Sequence, residues 1–119
     1  MVKQNFKIFV LAAFLVASVQ TSAFASSVNF VNYSGRTISS LYVFREGSWH
    51  YLNGTLYDGK AANVYVYNVS RESNLRDIKV NFSGGRTICL TGVDFYSYRK
   101  ITICQNSNSS SGFRLYLEK

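Results

Sequence analysis

Between Arg76 and Cys104 apolar and polar residues alternate with a period of two, and no helical spacing interrupts them. Such alternation buries one face of a strand and leaves the other in water. Ile78, Val80 and Phe82 alternate with Asp77, Lys79 and Asn81, and Ile88 and Leu90 with Thr87, Cys89 and Thr91. The turn between these runs decides their register. A two-residue Gly84-Gly85 turn would set Val80 opposite Cys89 and carry apolar side chains to the polar face. A three-residue loop, Ser83-Gly84-Gly85, pairs Val80 with Ile88 and Ile78 with Leu90, and gives Gly85 the left-handed position such loops need. Because a slip of one residue turns every side chain over, the longer loop is expected. A further hairpin, with Asp94 to Arg99 as its loop, would set Leu90 against Ile103 and Thr91 against Thr102. Cys89 would then face Cys104 on the outer side.

The rest of the chain has the same character. Runs at Val28–Tyr33, Thr37–Arg45, Trp49–Leu52 and Asn63–Val69 are separated by Ser34-Gly35, Glu46-Gly47-Ser48, Asn53-Gly54 and Asp58-Gly59-Lys60. Ser70–Asn74 and Gln105–Ser111 are polar connections, and Phe113, Leu115 and Leu117 alternate with Arg114, Tyr116 and Glu118. Short strands spaced by turn residues predict an all-β fold, a small antiparallel β-sandwich or barrel of seven to eight strands.

Residues 1–25 read as a cleaved signal peptide. Lys3 and Lys7 precede an apolar run, Ile8–Val19, and Ala23-Phe24-Ala25 is a small-residue cleavage pattern. The run falls short of the roughly 20 residues of a transmembrane helix, so the mature form is expected to have no membrane span. Residues 26–119, 94 of the 119, suffice for a single β domain with one modest core. Removing Lys3 and Lys7 from the 13 basic residues leaves 11 against six acids, a net charge of +5 for the mature domain. That balance favours anionic partners, or serves solubility alone. The basic residues are scattered, so no specific nucleic-acid patch is expected. An exported chain, periplasmic or secreted, meets oxidising conditions, and a Cys89–Cys104 disulfide is expected from the register; closing that loop is worth about 3 kcal/mol in the chain-entropy model.

Residues that carry catalysis or bind metals are sparse. His50 is the one histidine, the six acids are singletons, and no G-x-S-x-G elbow or Asp-rich calcium loop occurs. No catalytic residue, metal site or cofactor is therefore expected. Aromatic content is the feature most open to function. Tyr65 and Tyr67 share one strand face and Val64 and Val66 the other, and valines fill a small core more easily. Outward tyrosines, with Trp49, Tyr51 or Tyr96 and Tyr98, would make a flat platform for a sugar or a protein. Equally, tyrosines are good strand formers that half-bury their rings. Five Asn-x-Ser/Thr sequons, at Asn32, Asn53, Asn68, Asn81 and Asn108, are read as incidental to a bacterial leader.

The run Phe30-Val31-Asn32-Tyr33-Ser34-Gly35-Arg36-Thr37-Ile38, with Leu41-Tyr42-Val43, Asp77-Ile78-Lys79-Val80, Gly85-Arg86-Thr87 and Gly92-Val93-Asp94, resembles a family of small exported bacterial β domains. That family's pattern places cysteines near Asn74 and Tyr96, where this chain has none. The resemblance implies a small β domain and brings no activity with it. The function expected is a non-enzymatic exported binding module engaging a protein or an anionic envelope glycan through an aromatic, basic face. The alternatives are an exported inhibitor or accessory structural protein of the envelope, and, further off, a hydrolase using His50.

Overall fold

The computed structural model describes residues 25–119; the expected leader lies outside this range, apart from its last residue, Ala25, which opens the first strand. Eight strands follow: β1 Ala25–Tyr33, β2 Ile38–Arg45, β3 Ser48–Asn53, β4 Ala61–Tyr67, β5 Leu75–Phe82, β6 Thr87–Asp94, β7 Lys100–Gln105 and β8 Phe113–Glu118. They form two four-stranded sheets ordered β4-β1-β7-β8 and β3-β2-β5-β6, and no helix is present among the described residues. The fold is a small β-sandwich, one of the two all-β forms expected from the alternation. Every pairing is antiparallel except that of β1 with β7, which is parallel.

The inner faces meet in one core. Val28 and Phe30 of β1, Val64 and Val66 of β4 and Ile101 and Ile103 of β7 face Leu41 and Val43 of β2 and Ile78 and Val80 of β5. At one end Phe82 of β5 stacks on Phe113 of β8, ring centroids 4.8 Å apart, tying the sheets together. Burying each side chain of this size is worth roughly 1.5–3 kcal/mol. The β5–β6 register matches the expectation: Val80 pairs with Ile88 and Ile78 with Leu90, around a Ser83-Gly84-Gly85 loop in which Gly85 has φ +100°.

The second expected hairpin does not form. β6 pairs only with β5, whereas β7 lies in the other sheet between β1 and β8, so Ile103 opposes Asn32 and Leu115 rather than Leu90. The chain crosses from sheet to sheet after Asp94, and the reason sits in the loop. Phe95 is fully buried, its N–H donates to the Asn74 carbonyl at 3.0 Å, and its carbonyl accepts from the Ser26 hydroxyl at 2.6 Å. A ring drawn into the core at that point carries β7 across to the opposite sheet. The expected Cys89–Cys104 disulfide falls with the hairpin. Cys89 lies beside Lys79 on the outer face of one sheet, Cys104 beside Tyr33 and Arg114 on the outer face of the other, and both thiols are free. Sheets pack about 10 Å apart, far beyond the reach of a bridge.

A buried polar latch closes the end where β1 leaves for β2. Asn32 is fully buried; its Nδ2 donates to the carbonyls of Arg36 (2.8 Å) and Leu56 (2.9 Å), and its Oδ1 accepts from the Ser34 N–H (3.0 Å) and hydroxyl (2.6 Å). Beside it the Gly35 N–H donates to Asp58 Oδ1 at 2.8 Å. Asn-x-Ser-Gly is thus a device joining the β1–β2 turn to the β3–β4 loop, with each polar atom satisfied as burial requires.

Candidate functional site

Alternation on β2 sends Leu41 and Val43 inward and Tyr42 and Phe44 outward. A two-residue turn, Glu46-Gly47, with φ values of 53° and 82°, leads into β3. Positive φ at both positions gives the twist that tight hairpins need. It sets Phe44 opposite Trp49 and Tyr42 opposite Tyr51. On the other side of β2, Tyr42 opposes Lys79 of β5. The result is an aromatic face with a cation in its middle. Phe44 and Trp49 meet edge to face at 5.2 Å, Tyr42 and Tyr51 at 5.8 Å. The Lys79 ammonium stands 4.8 Å from the Trp49 ring centroid and 5.1 Å from that of Tyr42.

Each cation–π contact at such a site is worth roughly 0.5–1 kcal/mol. Among the described residues two ion pairs form, Arg45–Glu46 at 2.9 Å and Lys100–Glu118 at 4.0 Å, and Lys79 belongs to neither. Its charge is therefore held by the two rings rather than by a carboxylate. Tyr51 is 64 % exposed and Phe44 37 % exposed, so the face is open to solvent.

Of the residues singled out from sequence, Trp49 and Tyr51 belong to this face. Tyr65 and Tyr67 are exposed, with Val64 and Val66 buried beneath them, but they project from the outer side of β4 in the other sheet. The two pairs thus face away from each other. Tyr96 and Tyr98 lie on the β6–β7 crossover, which Asp94 fixes by accepting the N–H groups of Tyr96 and Ser97 on Oδ1, each at 2.9 Å. Burial pulls the Asp94 carboxyl upward, yet the N–H donors at Ser97 and Tyr96, together with the Ser97 and Asn74 side chains, outweigh it and hold it below its ordinary 3.8.

Tyr42, Phe44 and Lys79 were not anticipated. A signal existed, because the Glu46-Gly47 turn fixes which aromatics of β2 and β3 oppose each other. The place of Lys79 needed the β2–β5 register, a long-range pairing that no local pattern encodes.

His50 has Nε2 3.1 Å from the Ser48 hydroxyl and 3.2 Å from the Arg45 carbonyl. A carbonyl can only accept, so the Arg45 contact is a hydrogen bond in the tautomer with the proton on Nε2, in which the Ser48 hydroxyl is an acceptor at that nitrogen. No group of three metal-ligating side chains occurs among the described residues.

The chain matches no family model and no curated protein sequence. Among solved structures it is similar to one described as the NMR structure of the protein from Eubacterium rectale, at 10 % identity and a TM-score of 0.56, covering 78 % of this chain and 87 % of that one. The likeness is one of fold alone.

Proposed function

We propose that the protein is a non-enzymatic binding module, exported to the periplasm or secreted, that engages an anionic envelope glycan through the outer face of β2, β3 and β5. The observation that carries this reading is the Lys79 ammonium set between the rings of Tyr42 and Trp49 with no carboxylate partner among the described residues. Flat aromatic surface receives the apolar face of a sugar ring, and the ammonium receives its acidic substituent. The domain's excess of basic residues brings anionic polymers to it. A protein partner with an acidic surface is the other ligand such a face accepts.

Binding of the mature domain to an array of acidic and neutral glycans tests the reading. Trp49→Ala and Lys79→Gln are each expected to weaken the best acidic ligand about tenfold, while Tyr65→Ala and Tyr67→Ala leave it unchanged; about 1.4 kcal/mol per variant is the size of one desolvated contact. Equal binding by all four variants would remove the face from consideration.

A further inference from the structure

A second cationic feature adjoins the aromatic face. Two residues past the last β2–β5 rung, Val43 with Ile78, alternation returns Arg45 and Arg76 to the inner side at the open end of the sandwich. With Glu46, Asn68 and Ser73 they line a pocket of about 360 Å³, and Phe44, whose ring packs on Trp49, forms part of its wall.

The two guanidinium groups are unequally served. Arg45 is paired with Glu46. Among the described residues Arg76 has no carboxylate: its Nη1 donates to the Leu75 carbonyl (2.9 Å) and to Ser73, its Nη2 to the Asn68 carbonyl (2.9 Å), and its buried Nε has no partner among them. Carbonyl dipoles offset only part of a full charge, and a buried donor without a partner is destabilising. Glu46 (φ 53°), in the β2–β3 hairpin turn, and Asn68 (φ 61°), a residue type that tolerates the left-handed region, both line this pocket.

From these observations we infer that the pocket is a carboxylate subsite, taking the acid group of an acidic sugar whose chain continues over the Phe44–Trp49 side. The inference rests on the proposed binding function. Charge selects the ligand class: two arginines and one glutamate leave a single positive charge, matched by one carboxylate. A phosphate dianion would bring a second negative charge against Glu46. The donors left for a ligand are Nε and Nη2 of Arg45, which carry no hydrogen bond among the described residues, and the remaining Nη2 hydrogen of Arg76; these supply the two-pronged contact that a carboxylate's oxygens take.

The test is an NMR titration of the mature domain with sodium glucuronate, glucose, sodium acetate and inorganic phosphate at constant ionic strength. Glucuronate and acetate are expected to shift the Arg76 Nε–H and the amides of Glu46 and Asn68, glucose to leave them unmoved, and phosphate to bind at least fivefold more weakly than glucuronate. Arg76→Lys, which keeps the charge and removes the fork, and Arg45→Gln, which spares the loop that Arg76 supports, are each expected to weaken glucuronate about tenfold. Silence at these resonances, equal shifts with phosphate, or unchanged affinity in both variants overturns the subsite. The Trp49→Ala variant separates the two claims. Glycan binding lost in Trp49→Ala with the Arg76 resonances silent retains the aromatic face and removes the pocket. An Arg76 response with no effect of Trp49→Ala retains a carboxylate pocket and removes the aromatic-face reading.

Discussion

Asn32 shows how much of this fold hangs on single polar side chains. Its amide serves two carbonyls and two donors in the dry interior, so Asn32→Ala leaves several buried groups without partners. A loss of about 3 kcal/mol is expected, read as a lower urea midpoint; a loss under about 0.5 kcal/mol would show that the latch holds nothing. The same burial keeps this sequon closed to modification once the chain has folded. Asp94 gives a pH dependence. Its folded pKa lies below the unfolded one, so its contribution is present above the unfolded value near 3.8 and is lost as pH falls through the depressed folded value. Urea midpoints measured between roughly pH 5 and pH 2 are expected to fall less steeply in Asp94→Asn than in the parent. Parallel curves would mean that Asp94 does not link stability to pH.

At the level of strands, the β5–β6 hairpin and the β6–β7 crossover are instructive together. The hairpin was legible because its three-residue loop and its alternating faces agree on one register. The crossover was not, because alternation states which side of a strand is buried and is silent on which sheet buries it. Ile101 and Ile103 satisfy the same pattern whether β7 lies beside β6 or across the core from it. Phe95 decides the matter by filling the end of the core, and Phe95→Ala is expected to cost about 3–5 kcal/mol in denaturant unfolding. A cost below about 1 kcal/mol would show that the crossover does not depend on that ring. The aromatic face divides in the same manner: the tight Glu46-Gly47 turn makes its β2–β3 half local, while Lys79 arrives through a pairing between strands far apart in sequence.

For the molecule as a whole, two sheets joined by strand crossovers set the outer faces back to back, and this separates features that a flat reading of the chain would combine. Cys89 and Cys104 are on opposite outer faces, as are Trp49 with Tyr51 and Tyr65 with Tyr67. Titration of the native protein with a thiol reagent is therefore expected to find two thiols per chain, the exposed Cys89 reacting faster than the half-buried Cys104. The thermal midpoint is expected to be the same with and without reductant; a fall of several degrees on reduction would contradict the sheet order.

Period and turn chemistry act over a few residues, so the all-β class, seven to eight strands with their buried faces, and the β5–β6 register could be read from the letters alone. The sheet to which β7 belongs, the separation of the two cysteines and the gathering of Lys79, Tyr42 and Trp49 are set by the three-dimensional packing. Those outcomes depend on how distant strands share one core, and the packing of side chains such as Phe95 selects among arrangements that local pattern leaves equivalent.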